Sequence, residues 1–139
     1  LIISYTLPVD PNGLSAASLD LLRDAAKKGV KVHSVDLMVM YFGKRFVGKG
    51  KSEDELGIES AKVAYAQIQK IDPNIKIGLC PCLGENGSKA EVFTLSDAKT
   101  LEAFAKKTPW VCSLHYWSIN DDARQSWAFA KIFQKFSDR

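Results

Sequence analysis

The chain of 139 residues repeats one pattern four times: an apolar segment rich in β-forming residues, a polar loop, an amphipathic helical segment and a turn. The four predicted strands cover residues 1–7, 32–40, 75–82 and 110–117. Each repeat takes roughly 35 residues, which is enough for one strand and one crossover helix. Crossovers of this kind join neighbouring parallel strands, so the pattern predicts an α/β fold of four consecutive βα units around one parallel sheet.

Apolar residues at helical spacing predict a helix after each strand. The first helix begins at Ser15 and ends before Gly29, and its predicted inward positions are Leu19, Leu22 and Ala26, with Leu21 and Ala25 beside them. In the last helix the shared apolar face is predicted to contain Trp127, Ala130, Phe133 and Phe136. These faces would pack against the sheet.

Two of the helix starts carry a capping box, in which a hydroxyl and a carboxylate each accept a backbone N–H at the helix start. Ser52 with Glu55 predicts the start of the second helix, and Thr94 with Asp97 predicts a third helix that runs through Lys107. The capping boxes also define where the loops before them end, at residues 43–51 and 83–93.

Two α/β architectures fit this order of elements. A doubly wound sheet would carry helices on both faces, whereas half of a (βα)₈ barrel, the TIM barrel, would carry them on one. The nearly continuous apolar run at residues 32–40 predicts a strand that is covered on both faces. The strand-to-helix loops are longer than the helix-to-strand turns, as in folds whose chemistry lies at the carboxyl ends of the strands. Residues 8–13 lack the glycine pattern of a nucleotide-binding turn.

Composition excludes several classes of protein. With 46% hydrophobic and 25% charged residues, the chain has the makeup of one compact domain rather than a disordered or fibrous segment. Its net charge of +3 is spread over mixed signs, so nucleic acid is not an expected partner. The most apolar stretch, residues 35–46, is too short for a membrane span and contains three charged residues, so no membrane partner is expected either.

The remaining chemistry-bearing residues form no strong motif. Cys80, Cys82 and Cys112 are odd in number and are interpreted as buried thiols, and their spacing relative to His115 is not that of a zinc site, so no metal or cofactor is expected. The loop at residues 43–51 contains four basic residues. It is either a solvated loop or a weak contact for an anionic surface.

Several segments, in order along nearly the whole chain, resemble the last four strands of microbial chitinases of glycoside hydrolase family 18. Residues 5–14 (YTLPVDPNGL) are similar to that family's fifth strand, residues 35–43 (VDLMVMYFG) to its sixth, residues 79–98 to its seventh, and residues 114–122 (LHYWSINDD) to its eighth, with a typical last helix at residues 127–133. The resemblance implies one unit over residues 1–139 that corresponds to strands 5–8 and helices 5–8 of a TIM barrel.

The resemblance also implies a missing group. The family's general acid is the glutamate that closes an Asp-x-x-Asp-x-Asp-x-Glu motif on strand four, and this spacing of carboxylates does not occur in the 139 residues. In family 18 that glutamate protonates the glycosidic oxygen while the substrate's own N-acetyl group acts as nucleophile. Without the acid, no catalytic residue is assigned here, and the chain alone is expected to be inactive.

What the resemblance leaves is a sugar-binding half of the site, with five candidate substrate-binding residues: Met38, Met40, Tyr41, Asn86 and Trp117. Trp117 corresponds to the tryptophan on which the family stacks a sugar ring, and the two methionines share one strand face by their spacing of two. For Trp117 and for the methionines, ordinary core packing is the competing interpretation. Three positions depart from the family pattern: Tyr41 and Gly87 each replace an aspartate, and Asp121 replaces an arginine.

The expected partners are therefore chitin or N-acetylglucosamine oligomers, together with either the absent N-terminal half-barrel or a second copy of this chain. The resemblance implies an extracellular protein. Two other functions stay open at this point: a non-catalytic carbohydrate-binding half-barrel that dimerises, and an unrelated doubly wound domain like a signalling receiver, for which residues 7–10 offer only one aspartate.

Overall fold

In the computed structural model, which describes residues 1–137, strands and helices alternate along the chain. The elements are β1 Ile3–Pro8, α1 Ala16–Lys27, β2 Val32–Met38, α2 Glu53–Ile68, β3 Lys76–Cys80, β4 Gly84–Glu85, β5 Val92–Phe93, α3 Leu95–Lys107, β6 Val111–Leu114, α4 Ile119–Ala123, α5 Ala128–Phe133 and a 3₁₀ turn at Gln134–Ser137. The α/β class and the alternation predicted from the repeats are confirmed.

The main sheet contains four parallel strands in the order β1-β2-β3-β6. The strand order follows the chain order without a reversal, and right-handed crossovers then place every helix on the same face. Contacts between successive helices (α1 with α2, α2 with α3, and α3 with α5) agree with a single helical layer. This arrangement lacks the strand-order reversal of a doubly wound fold. The assignment to half of a TIM barrel remains a prediction.

The core lies between the sheet and this helical layer. The side chains that point toward the helices are fully buried, among them Val35, Leu37, Ile77, Leu79 and Val111. The prediction that residues 32–40 are covered on both faces holds in part: on the face away from the helices Ser34 and Met40 are buried, whereas Asp36 and Met38 are half-buried. Positions on the opposite face of the strands, such as Thr6, Asp36 and Met38, are exposed or half-buried.

The helix starts at Ser52 and Thr94 are confirmed. The Glu55 carboxylate accepts the Ser52 N–H at 2.9 Å, and the Asp97 carboxylate accepts the Thr94 N–H at 2.6 Å. Both capping boxes are complete. Each therefore fixes the end of a loop that follows a strand of the main sheet.

Other details of the sequence prediction need correction. In α1 the buried positions are Ser18, Leu22 and Ala25, so the inward stripe is rotated and Ala26 is exposed. The segment predicted as a loop at residues 83–93 contains the antiparallel pair β4 and β5. The regular part of the fourth strand ends at Leu114, although its backbone pairing continues: the Trp117 N–H donates to the Pro81 carbonyl at 2.9 Å.

The last helical segment differs most from the prediction. It is divided into α4, α5 and the 3₁₀ turn, and Trp127 lies before α5 with a left-handed backbone (φ 60°). Trp127 is exposed, while Phe129, Ile132 and Phe133 form the buried face of α5. The predicted face at 127, 130, 133 and 136 assumed one continuous helix, and the break after α4 changes the register.

Over residues 1–137, no helix is both long enough and apolar enough to cross a membrane.

Candidate sugar-binding site

A cavity of about 350 Å³ opens on the uncovered face of the sheet, at the carboxyl ends of the strands. We call it the strand-end cavity, and it is lined by Thr6, Met38, Met40, Tyr41, Cys80 and Trp117. The structure therefore brings together four of the five residues singled out in the sequence. The fifth, Asn86, does not line the cavity.

Strand register explains this grouping. Met38 pairs with Cys80 across β2 and β3, and residues that are Cα partners in parallel strands point to the same face. Beyond the regular strands, Cys82 forms a parallel bridge with Trp117. The spacing of two between Met38 and Met40 thus places both methionines on the cavity side, as predicted.

Trp117 presents a large exposed ring on a fixed backbone. The residue is 64% exposed. Its backbone is held on both sides, because the Leu83 N–H donates to the Trp117 carbonyl at 2.7 Å and the Trp117 N–H donates to the Pro81 carbonyl at 2.9 Å. Core packing, the competing interpretation of this residue, does not fit such exposure. An indole face held at a cavity wall is suited to an apolar ring face.

Tyr41 forms another wall of the cavity and has a left-handed backbone (φ 54°). Its hydroxyl accepts a hydrogen bond from the Cys82 thiol at 3.7 Å, and this interaction raises the pKa of Tyr41 above its usual value. Gly87 leaves room for the ring: a Cβ at position 87 would lie 3.2 Å from two ring carbons of Tyr41. Tyr41 and Gly87, two of the three departures from the family pattern, are therefore neighbours in space.

Asn86 holds the loops beside the cavity and is only 1% exposed. Its side-chain amide nitrogen donates to the Cys82 carbonyl at 3.0 Å and to the Gly84 carbonyl at 2.9 Å. Its oxygen accepts the Tyr41 N–H at 3.4 Å. Asn86 is thus placed to position Tyr41, whereas the sequence suggested direct contact with a sugar.

Two cavity residues were missed as candidates, Thr6 and Cys80. Thr6 stands two residues before Pro8 on β1, and its alternation with Leu7 could have placed it on the open face. Cys80 is half-buried rather than buried, and burial raises the pKa of its thiol to about 11, so it is protonated at neutral pH. The interpretation of Cys112 as a buried thiol is wrong, since its side chain is exposed.

Below the cavity, the open face of the sheet becomes polar. The Asp36 carboxylate lies 3.5 Å from Nε2 of His115 and accepts the Ser113 hydroxyl at 3.4 Å. These side chains meet over Gly78, where an added Cβ would lie 1.9 Å from the Asp36 carboxylate. The hydrogen bond with Asp36 raises the pKa of His115, and this effect outweighs the lowering caused by partial burial. No group of three or more metal-ligating side chains is arranged around a metal site anywhere in residues 1–137.

Behind the cavity wall, buried carboxylates connect the loops to the start of α2. Glu91 accepts the Gly43 N–H at 3.1 Å and the Ser88 hydroxyl at 3.4 Å. Glu53 is 6% exposed and faces Glu91, Asp97 and Cys82. Burial, followed by the charges of Glu91 and Asp97, raises the pKa of Glu53 to about 7.

We expect Glu53→Gln to stabilise the chain at pH 8 and to leave its stability nearly unchanged near pH 4.5. The folded state keeps the Glu53 proton up to a pKa of about 7, whereas the unfolded chain releases it near 4.5, so stability is lost as the pH rises through this window. Glutamine carries no charge and avoids a loss of about 3 kcal/mol at pH 8. Urea unfolding at the two pH values measures the effect. Glu85→Gln, a change at an exposed carboxylate, is the control, and equal shifts for both variants would contradict the expectation.

Comparison with known proteins supports the α/β fold and the similarity to chitinases. The chain is 30% identical over 132 residues to Endochitinase 11 of Metarhizium anisopliae, and the match covers 86% of this chain and 25% of that protein. The catalytic domain of a hyperthermophilic chitinase from Pyrococcus furiosus superposes with a TM-score of 0.82 and 30% identity, over 99% of this chain and 51% of that one. A Pyrococcus furiosus chitinase domain complexed with chito-oligosaccharides superposes with a TM-score of 0.83. No family model matches the chain.

The parallel sheet carries an aromatic cavity at the carboxyl ends of its strands. Together with the similarity to chitinases, this arrangement supports a chitinase-like glycoside hydrolase domain. These similarities support a chitinase-like fragment that resembles part of a glycoside hydrolase family 18 domain. It spans about a quarter of the Metarhizium relative and about half of the Pyrococcus domain.

Proposed function

We propose that this chain is the sugar-contacting C-terminal part of a family 18 barrel and that it binds chitin or N-acetylglucosamine oligomers in the strand-end cavity. The observation that carries the proposal is the position of Trp117 opposite Met38, Met40 and Tyr41 at the carboxyl ends of parallel strands. In (βα)₈ enzymes the active site lies at this end of the sheet. An extracellular location accords with such a substrate.

The chemistry of the lining fits an N-acetylated sugar. The cavity is bounded mainly by apolar side chains, with Thr6 and Tyr41 as the hydroxyl-bearing members. A pyranose has apolar ring faces and a polar rim of hydroxyl groups. Because the exposed surface of the cavity is apolar, a ring stacked on Trp117 would keep its hydroxyl rim toward solvent. The methionines on the opposite side are adaptable contacts for an acetyl methyl group.

The chain by itself lacks the proton donor that the family reaction requires. The acid motif of strand four does not occur in its 139 residues, and the strand-end cavity is lined by no carboxylate. Loss of a general acid typically lowers a rate by about 10² to 10⁴-fold, in addition to any loss in substrate positioning. We therefore propose binding without hydrolysis for this chain and place the chemistry in a larger barrel.

Calorimetric titration with N-acetylglucosamine oligomers, run beside an assay for cleavage of the same oligomers, tests this function. Saturable heat without product is the expected result. An absence of heat at millimolar sugar would contradict the binding proposal. Cleavage of the oligomers by the 139-residue chain would contradict the proposal that the general acid lies outside this chain.

Assembly is the second part of the proposal, with the complementary N-terminal half-barrel or a second copy of the chain as partner. The edge strands β1 and β6 each have one side unpaired within the sheet, and the face opposite the helices contains the half-exposed Met38 and Cys80. Unpaired parallel edges and an uncovered apolar face favour association. The alternative function, a non-catalytic half-barrel that dimerises, rests on the same surfaces.

We expect sedimentation velocity of the purified chain to show a dimer or larger species at micromolar concentration. A monomer over the whole concentration range would contradict the assembly proposal. The sugar-binding proposal would still stand, because the titration tests it separately.

A further inference from the structure

The segment that brings Tyr41 to the strand-end cavity is held by the loop between β4 and β5. The Tyr41 N–H donates to the Asn86 side chain at 3.4 Å, and the Gly43 N–H donates to the Glu91 carboxylate at 3.1 Å. The Tyr41 backbone is left-handed (φ 54°), a conformation that is uncommon for a residue with a Cβ. The two hydrogen bonds lie on either side of the Tyr41 ring and support this conformation.

Glu91 organises the loop that supplies both of these acceptors. Its carboxylate also accepts the Ser88 hydroxyl at 3.4 Å, its N–H donates to the Ser88 carbonyl at 3.0 Å, and its carbonyl accepts the Asn86 N–H at 2.7 Å. The residue is only 4% exposed, so these bonds are formed at low local dielectric, where they are stronger than in water. Glu91 therefore acts on the segment of Tyr41 directly at Gly43 and through the backbone at Asn86.

A second buried carboxyl group, that of Glu53 at the start of α2, faces Glu91. Glu53 is 6% exposed, and the titratable groups that face it are Glu91 from the loop between β4 and β5, Asp97 from α3 and Cys82 after β3. Asp54, the next residue of α2, is hydrogen bonded to Asp97. Within the described part of the chain, none of these four carboxylates forms an ion pair with a lysine or arginine. A charge on Glu53 therefore repels the Glu91 carboxylate without a neighbouring cation to offset it.

Opening of the loop between β4 and β5 would relieve this repulsion and admit water to Glu53. Burial, followed by the charges of Glu91 and Asp97, raises the pKa of Glu53 to about 7 in the closed arrangement, and access to water would lower it toward 4.5. The closed arrangement binds the Glu53 proton more tightly, so it is favoured at low pH and loses this advantage as the pH rises from 4.5 to 7. Above that interval both arrangements have lost the proton, and the balance between them stays constant.

We propose that Glu91 is a positioning residue for the strand-end cavity and that Glu53 regulates it, so that together they set how firmly Tyr41 is held in the cavity wall. The inference rests on the proposed function of the cavity, and it adds a regulation of that same site. Neither carboxyl group lines the cavity, and both act through the hydrogen bonds of Gly43 and Asn86. Because N-acetylglucosamine oligomers carry no titratable group, a change of affinity with pH reports on the protein.

Titration of the N-acetylglucosamine tetramer at several pH values measures this regulation. We expect the affinity of the chain to fall about 5-fold between pH 5 and pH 7.5 and to stay level up to pH 8.5. Glu53→Gln cannot become charged and should keep the affinity of pH 5 throughout. Glu85→Gln, a change at an exposed carboxylate of β4, is the matched control and should retain the fall.

Two variants of Glu91 test its role as a positioning residue. Glu91→Gln retains an acceptor oxygen for the Gly43 N–H, so it should bind the tetramer within about 3-fold of the unsubstituted chain. Its dependence on pH should be reduced but not abolished, because burial also opposes a charge on Glu53. Glu91→Leu removes the acceptor and should lower the affinity about 10-fold at every pH.

Amide hydrogen exchange of Gly43 gives a readout that needs no sugar. After correction for the intrinsic effect of pH on exchange, protection of this amide should fall between pH 5 and pH 7.5, and Glu53→Gln should remove the fall. The Leu14 N–H, which donates to the uncharged Gln67 side chain at 2.8 Å, is the control amide and should keep constant protection.

The two readouts separate this inference from the proposed function. Protection of Gly43 that depends on Glu53, without any sugar binding, would overturn the function of the cavity and leave the control of this segment standing. Sugar binding with constant affinity and constant protection would do the reverse. A fall in affinity that persists in Glu53→Gln would belong to another group, such as His115 on the open face, and would overturn the role of Glu53. Equal affinities of Glu91→Gln and Glu91→Leu would overturn the role of Glu91.

Discussion

Replacement of Trp117 by alanine should lower the affinity for N-acetylglucosamine oligomers about 100-fold, which corresponds to about 2.7 kcal/mol. The indole is the largest exposed apolar surface at the cavity, and the backbone on either side of it is hydrogen bonded, so little order is lost when a sugar ring stacks on it. Since the ring is 64% exposed in the free chain, its removal leaves the core intact. Calorimetric titration of both proteins measures the change.

Trp127→Ala is the matched control for this experiment. Trp127 is also exposed, at 47%, and the strand-end cavity does not include it. We expect its replacement to leave sugar affinity within about 2-fold of the unsubstituted chain. Equal losses at both tryptophans would indicate nonspecific contact, and an unchanged affinity in Trp117→Ala would place the sugar elsewhere.

The parts of the site that the sequence predicted are those that depend on local periodicity. Met38 and Met40 differ by two residues on a strand, and that alone places them on one face. The capping boxes at Ser52 and Thr94 are likewise local, because a hydroxyl and a carboxylate three residues apart meet wherever a helix begins. Trp117 was found through resemblance, and its exposure came only from the structure.

The parts that were missed depend on contacts between distant segments. Asn86 accepts a hydrogen bond from Tyr41, 45 residues away, so its role as a positioning residue could not be read from spacing. The cluster of polar side chains formed by Asp36, Ser113 and His115 depends on Gly78, because a side chain at position 78 would occupy the space of the Asp36 carboxylate and the Ser113 hydroxyl. The last helix was predicted to be continuous because its apolar residues recur at helical spacing. The left-handed backbone at Trp127 breaks it, and such a break does not change the spacing of apolar residues in the sequence.

That break is stabilised by Asp122, and Asp122→Ala should destabilise the chain by about 3–4 kcal/mol. Asp122 is completely buried, and its two carboxylate oxygens accept the N–H groups of Phe129 and Ala130, each at 2.9 Å. These donors lie in the first turn of α5, where no carbonyl of the helix can reach them and where Trp127 supplies no side-chain cap. Alanine would leave the buried Phe129 N–H and the half-buried Ala130 N–H without an acceptor.

Urea unfolding of three variants measures the contribution of Asp122. Asp122→Asn retains one acceptor oxygen and should cost less than Asp122→Ala. Asp121→Ala is the control, because the neighbouring carboxylate is partly exposed and bonds Ser118 and Arg124 at the start of α4, and it should cost less than about 1 kcal/mol. If Asp121→Ala and Asp122→Ala were equally destabilising, the carboxylate of Asp122 would not be what holds α5. Asp122→Ala is expected to be the most destabilising of the three because it removes the acceptor of two N–H groups at the start of α5. Loosening α5 should also release Phe129 from its stacked contact with Phe93, whose ring centroids are 6.1 Å apart.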